Sequence, residues 1–243
     1  MNSDSSEAKP PITSPTTLTN YQTPHSISKP PLSILEGVFT FPPNRETLGG
    51  SAYFIVGKVG NILVDCPAWN DTNHQFILDQ GGVSLLFITH RNAIARVKEI
   101  QHSLQCEVII QEQEAYLLPE VSTTNFKEEL SLSPHCTAIW TPGYSPGSSC
   151  LYYASQGGIL FTGRHLLPNQ EGKPMPLRVA KTFHWFRQLR SIEKLQARFT
   201  PQTLRYLCPG ANRGFLRGKA CIEDTYEHLC ALDLDQLRQQ SAF

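Results

Sequence analysis

The sequence predicts a layered α/β protein in which helices cover two β-rich halves. Short apolar runs with strand-like periodicity recur along the chain, and amphipathic stretches with helical periodicity separate some of them. Pro- and Gly-rich turns punctuate the runs. A length of 243 residues with 40% hydrophobic residues provides enough apolar surface for a sizeable core. Two β-rich halves with interspersed helices predict a layered sandwich.

The first 33 residues differ from the rest in composition. They are rich in Ser, Thr and Pro and carry few large apolar side chains, so ordering them would bury too little surface to offset the entropy lost. We therefore predict a disordered tail over residues 1–33 and one domain over residues 34–243. The tail contains Asp4 and Glu7 and no Arg, which argues against an organelle transit peptide.

The first half of the domain alternates strands with helices. A Lys-Val-Gly turn joins two apolar runs into a predicted strand pair, and a third apolar run precedes a stretch with one apolar helical face. A further strand and a short helix follow. In chain order these stretches are SAYFIVG, NILVDCP, SLLFITH, AIARVKEIQHSL, EVIIQ and EQEAYLL.

The second half opens with three successive strands separated by Pro- and Gly-rich turns. An amphipathic helix, a returning strand and a final helix complete it. These stretches are TAIWTPG, SSCLYYA, GGILFTG, WFRQLRSIEKLQARF, TLRYLCPG and ACIEDTYEHLCALDLDQLRQQ.

The net charge and the cysteines narrow the classes of partner and the cellular compartment. The formal net charge is zero, which does not favour nucleic acid or an anionic membrane, and no apolar run is long enough to cross a bilayer. The seven cysteines are odd in number and form no CxxC pair, and the N-terminus lacks a signal-peptide pattern. We predict a cytoplasmic protein with reduced, buried thiols.

Five Gly- or Pro-marked loops follow predicted strands, where binding groups are commonly placed: DCPAWND, THRNAIA, TPGYSPGS, FTGRHLL and CPGANRGF. This order of strands and loops, together with TPGYSPGS and FTG, resembles the metallo-β-lactamase fold superfamily. The glyoxalase-II-like hydrolase branch is the most similar. The resemblance covers about residues 35–230 and implies an αββα four-layer sandwich.

In that superfamily the loops carry metal ligands: Thr-His-x-His-x-Asp-His, a His in TPGHSPGS, an Asp after FTG and a His after PG. Imidazole and carboxylate groups bind zinc or iron and leave a position for water, which the metal activates. Here His90 alone keeps its ligand type. The other six positions hold Asn92, Ile94, Ala95, Tyr144, Arg164 and Ala211.

The substitutions indicate a site without metal. One imidazole cannot replace a full ligand set, and Arg164 would place a fixed cation where the family has a bridging carboxylate. We therefore predict no cofactor and no catalytic residues, with His90, Tyr144 and Asp65 as residual candidates. The alternative is a zinc- or iron-dependent hydrolase of thioesters or other esters with rearranged ligands.

A cleft that keeps its turns but loses its metal can bind something else. Arginine side chains at its rim could replace part of the metal's charge and bind a carboxylate or phosphate. The predicted ligand-binding residues are Arg91, Asn92, Tyr144, Arg164 and Arg213. In the competing interpretation these arginines pair with local acids or face water. The predicted function is a non-catalytic protein that binds a small anionic ligand or a protein partner.

Residues 178–194 form a basic stretch that also contains Phe183, Trp185 and Phe186. Arginine and aromatic side chains stack on nucleic-acid bases, so this stretch is a possible nucleic-acid contact. An amphipathic helix with a solvated basic face explains the same pattern without any ligand.

Overall fold

The computed structural model describes residues 29–219 and 221–239. Most of the predicted tail, residues 1–28, lies outside the described residues. The first strand begins at Leu32, two residues before the predicted start of the domain at residue 34. No helix within the described ranges is both long enough and apolar enough to cross a lipid bilayer.

The first sheet contains seven strands in sequence order. Its first four strands pair antiparallel, and the last four run parallel to one another. The strands are β1 (Leu32–Leu35), β2 (Val38–Thr40), β3 (Tyr53–Ile55), β4 (Ile62–Val64), β5 (Leu85–Phe87), β6 (Glu107–Gln111) and β7 (Thr123–Phe126). The predicted strand pair is confirmed as the antiparallel pair β3–β4.

The second sheet has five strands in the order β14-β11-β10-β9-β8, and a two-stranded ribbon, β12–β13, follows β11 in the chain. The strands are β8 (Glu129–Ser133), β9 (Cys136–Trp140), β10 (Ser149–Tyr153), β11 (Ile159–Gly163), β12 (Leu167–Pro168), β13 (Pro174–Met175) and β14 (Tyr206–Pro209). The three successive strands predicted in this half are confirmed as β9, β10 and β11.

Three apolar cores separate four layers. One core lies between the first sheet and two helices, α1 (Asp71–Asp79) and α2 (Val97–Leu104). The second lies between the two sheets, and the third lies between the second sheet and three helices. Those helices are α3 (Trp185–Arg198), α4 (Thr225–Cys230) and α5 (Leu234–Gln239). The predicted αββα sandwich is confirmed.

Burial on both faces explains the near-continuous apolar strands. In β4, Leu63 enters the outer core while Val64 enters the core between the sheets. In β5, Leu86 and Phe87 divide in the same way. Successive strand residues point to opposite faces, so a central strand covered on both sides needs apolar residues throughout.

Two local predictions are wrong. The C-terminal stretch forms two helices, because α4 ends at Cys230 and α5 begins at Leu234 after a break at Asp233. The strands β7 and β8, which consist of TTNF and ELSLS, were not predicted. In β7 only Phe126 is a large apolar residue, so that strand carries little signal, whereas β8 alternates Leu130 and Leu132 with polar residues and could have been recognised from this period.

Candidate functional site

The ends of strands from both sheets meet at one edge of the sandwich, where loops from β4, β5, β9, β11 and β14 come together. Backbone hydrogen bonds connect these loops: Ser149 N donates to Thr89 O at 2.8 Å, and Gly210 N donates to Gly163 O at 2.7 Å. Ser51 N donates to Gly210 O at 2.8 Å. The edge is therefore a fixed frame for the side chains that follow.

A buried chain of hydrogen bonds runs from Asp65 through Thr89 to His90. Asp65 follows β4 in a left-handed conformation, with φ of 62°. Its carboxylate accepts from Thr89 N at 2.8 Å and from Thr89 Oγ1 at 2.8 Å. The same hydroxyl lies 2.9 Å from His90 Nδ1. When the Thr89 hydroxyl donates its hydrogen bond to Asp65, its oxygen accepts a hydrogen bond from the N–H at His90 Nδ1. His90 Nε2 then carries no proton and is an acceptor.

Burial sets the protonation of this chain. It raises the pKa of Asp65 to about 7, although the hydrogen bonds from Thr89 and the charge of Arg164 act to lower it. Burial also lowers the pKa of His90 to about 3, and Arg164 adds to that effect. His90 is thus a neutral imidazole over the physiological range. Its Nε2 is buried and has no hydrogen-bond partner among the described residues.

Tyr144 covers His90 from the turn between β9 and β10. The two ring centroids lie 5.0 Å apart, and the Tyr144 hydroxyl donates to Asn92 Oδ1 at 2.9 Å. Burial raises the pKa of Tyr144, and Arg164 opposes the rise. Tyr144 and Asn92 stand where the resemblance implied histidines, and here they form a hydrogen bond with each other.

Arg164 follows β11 and reaches the segment after β2. Its Nη2 donates to the carbonyl oxygens of Thr47 at 3.1 Å and Leu48 at 2.8 Å, and its Nε is buried without a partner in the part of the chain that is described. Burial has the largest influence on the pKa values of Asp65, His90 and Tyr144. In each case the charge of Arg164 is a smaller influence, and it lowers the pKa. The guanidinium therefore lies within electrostatic reach of all three.

These residues do not fit the metal that the fold family implies. Within residues 29–219 and 221–239, no group of three or more His, Cys, Asp or Glu side chains is placed to hold an ion. The buried Ala95 and Ala211 supply no donor atom at two of the ligand positions. The cation of Arg164 would in addition repel a dication bound beside His90.

A cleft of about 700 Å³ opens over this group, within the range of small-molecule sites. Four of the five predicted ligand-binding residues line it: Arg91, Asn92, Tyr144 and Arg164. Arg91 Nε donates to Glu114 Oε1 at 2.9 Å, and Glu114 is fully buried behind it. Lys181 supplies a third cation to the lining.

Arg213 does not line this cleft. Its Nη1 donates to Thr40 Oγ1 at 2.7 Å. Burial raises the pKa values of Tyr53, Cys208 and Cys221, and the charge of Arg213 acts to lower them. The structure thus brings four of the predicted ligand-binding residues together and places the fifth elsewhere.

Sequence reasoning missed several lining residues. They are Leu48, Ser145, Leu167, Leu177, Val179 and Ala180. Ser145 directly follows Tyr144 in the quoted turn, so the motif itself carried a signal for it. Leu167 lies in the quoted loop FTGRHLL, so it too could have been found. The other apolar residues come from stretches without strand or helix periodicity, and only the folded chain shows that they share a cleft with the arginines.

The basic stretch at residues 178–194 divides between a loop and α3. In α3, Leu189, Ile192 and Leu195 face the outer core, whereas Arg187 and Arg190 are exposed. Lys194 pairs with Glu129 at 3.5 Å. This is the arrangement of an amphipathic helix with a solvated basic face, and nucleic-acid contact stays the untested alternative.

Comparison with solved structures identifies the fold. A metallo-β-lactamase family protein of Thermus thermophilus aligns with TM-score 0.60 and 16% identity over 84% of this chain and 80% of that one. A metallo-β-lactamase of Erythrobacter litoralis aligns with TM-score 0.62 and 15% identity over 86% of this chain and 96% of that one. An archaeal superfamily protein of Sulfolobus tokodaii aligns with TM-score 0.56 and 12% identity over 84% of this chain and 87% of that one.

No protein-family model matches the chain, and no curated protein matches it in sequence. At identities this low the structural likeness shows the fold alone. The chain has the metallo-β-lactamase fold, and any activity has to be argued from the cleft itself.

Proposed function

We propose that this chain is a non-catalytic protein of the metallo-β-lactamase fold whose cleft binds a small anionic ligand. The observation that carries the proposal is Arg164, which lines the cleft and whose buried Nε has no hydrogen-bond partner among the described residues. A fixed guanidinium at this point provides positive charge without a metal ion and offers directed N–H donors to an anion.

The charge of the lining supports an anion. Three cationic side chains, Arg91, Arg164 and Lys181, line the cleft, and no carboxylate among the described residues does. Glu114 offsets the charge of Arg91 from behind the wall, so the excess comes from Arg164 and Lys181. An anion that enters the cleft would be attracted by this excess.

Calorimetric titration with inorganic phosphate and with acetate tests the proposal. We expect saturable binding that weakens about tenfold in Arg164→Gln, because a hydrogen bond to a charged group contributes about 1.5 kcal/mol or more. Lys181→Gln is a second variant, since this exposed residue can change without disturbing the core. Arg190→Gln removes an exposed cation outside the cleft and is the matched control.

Metal analysis of untagged protein addresses the alternative hydrolase. We expect less than stoichiometric zinc, iron or manganese and no turnover of thioester or ester substrates. A tightly bound equivalent of metal together with hydrolysis that a chelator abolishes would overturn the proposal and establish a metal-dependent enzyme.

A further inference from the structure

We propose that the ligand of this cleft is a monocarboxylate with an apolar chain, held by a polar wall at its head and an apolar wall along its body. This inference rests on the proposed anion-binding function and adds the chemical class of the ligand. The two walls are supported by separate observations.

The apolar wall accounts for half of the twelve lining residues: Leu48, Leu167, Leu177, Val179, Ala180 and Phe183. Three of them are large and open to solvent, since Leu48 is 67%, Leu177 40% and Phe183 48% exposed. A single exposed apolar side chain needs no explanation, but several that share one cleft with cationic groups mark a binding surface.

The loop that carries this wall is tied to the turn that carries the polar wall. Phe183 N donates to Tyr144 O at 3.2 Å, and His184 N donates to Gly143 O at 2.9 Å. Within the loop, Val179 N donates to Thr182 Oγ1 at 3.0 Å. The backbone bonds fix the spacing between the apolar side chains and the arginines, so the two walls can act on one ligand.

The polar wall holds donors that nothing in the described chain satisfies. Ser145 lines the cleft, is 2% exposed, and its Oγ has no hydrogen-bond partner among the described residues. Arg164 Nε is also buried and has no hydrogen-bond partner in that part of the chain. Buried donors are normally paired, so orphans at a cleft indicate a missing acceptor.

A carboxylate head suits these donors. It accepts without donating, and its two oxygens can take an Arg N–H and a Ser hydroxyl at once. Asn92 accepts from Tyr144 through Oδ1, which leaves its Nδ2 as a further donor beside the same head. An apolar chain attached to that head would lie along Leu177, Val179 and Phe183 and remove their surface from water.

Calorimetric titration of the full chain with acetate, octanoate and octanol, below micelle-forming concentrations, tests the inference. Each fully buried methylene strengthens binding about fourfold, so we expect octanoate to bind about a hundredfold more tightly than acetate with only part of its chain buried. Octanol should bind far more weakly than octanoate because it lacks the charge.

Variants separate the two walls. Leu177→Ser and Phe183→Ser should weaken octanoate binding about tenfold each and leave acetate binding unchanged. Ser145→Ala should weaken both ligands. Phe186→Ser, which changes an equally exposed aromatic residue of α3 outside the cleft, is the control and should change neither.

The outcomes distinguish this inference from the proposed function. Equal affinity for acetate and octanoate, or octanoate binding that is insensitive to Leu177→Ser and Phe183→Ser, would overturn the apolar wall while anion binding stands. Octanol binding as tightly as octanoate would overturn the carboxylate head. Failure of acetate, phosphate and octanoate alike to bind would overturn both.

Discussion

The floor of the cleft and its walls follow different constraints. The floor consists of close backbone crossings at Gly143, Gly163 and Gly210, and a Cβ built at Gly210 would come within 2.7 Å of the backbone of Gly163. At Gly143 a Cβ would come within 2.3 Å of Gln188. The walls, in contrast, consist of side chains, and several of the apolar ones are open to solvent. The crossings therefore leave no room for a side chain at Gly143 and Gly210, whereas an exposed wall residue can change with little effect on the fold.

Gly210→Ala disrupts the backbone crossing with Gly163 and has the largest expected effect on stability. The added methyl contacts backbone atoms of Gly163, which cannot rotate away as a side chain can, so two strand ends have to separate. We expect a loss of about 3 kcal/mol in the free energy of unfolding, measured by urea denaturation. Gly214→Ala is the control, because its Cβ would meet nothing within 4 Å. Equal stabilities of the two variants would show that the crossing tolerates bulk.

His165 directly follows the wall residue Arg164 in the chain but is fully buried, so it links this region to stability in acid. Burial lowers its pKa to about 3, against about 6.5 in the unfolded chain. Between these values the unfolded state binds a proton that the folded state does not, so the free energy of unfolding falls as pH falls, by about 1.4 kcal/mol per pH unit.

We expect His165→Leu to remove this contribution, which urea denaturation between pH 6.5 and 4 would measure. His90 contributes with the same sign, and Asp65, whose pKa burial raises to about 7, with the opposite sign. Both groups are present in the two proteins, so they cancel in the difference. Parallel pH profiles for the wild type and the variant would contradict the expectation.

Tyr144→Phe changes a wall and should cost less. It removes the hydrogen bond from the hydroxyl to Asn92 Oδ1, which contributes about 1 kcal/mol, and it keeps the ring against His90. Thermal denaturation would measure the loss. Tyr116→Phe, at an exposed tyrosine outside the cleft, should leave stability unchanged. A stability loss for Tyr144→Phe of several kcal/mol would place Tyr144 with the floor.

Chelation has the smallest expected effect. Because the described residues offer no metal-binding group, dialysis against EDTA should leave the midpoint of thermal denaturation unchanged. Proteins that depend on a structural metal lose folding free energy when it is removed. A midpoint that falls on chelation and recovers with added zinc would contradict this expectation and reopen the metal-dependent alternative.

Sequence reasoning reached the fold and part of the cleft. The apolar runs predicted a layered α/β architecture, and the resemblance carried by the loop order and the motifs TPGYSPGS and FTG implied the four-layer sandwich. The approach of Arg91, Asn92, Tyr144 and Arg164 followed from the order of the loops. Arg213 follows β14 in the same way, yet it turns towards Thr40, since the direction of a side chain depends on partners from distant strands.

The apolar half of the cleft was beyond the reach of the sequence. Leu177, Val179 and Phe183 lie in an irregular loop, and their role depends on backbone bonds to Gly143 and Tyr144 that no local pattern reports. The pairing of Arg91 with the buried Glu114 likewise joins residues 23 positions apart.

The bonds from Arg164 to the carbonyl oxygens of Thr47 and Leu48 have a consequence for engineering a metal site into this cleft. Arg164 supplies a positive charge to the cleft and also holds the segment after β2 in place. An aspartate at this position would remove the repulsive charge, but it would also release that segment, and five further ligand positions would still be unfilled. A metal site in this cleft would therefore need several substitutions at once, together with a replacement for the bonds that hold this segment.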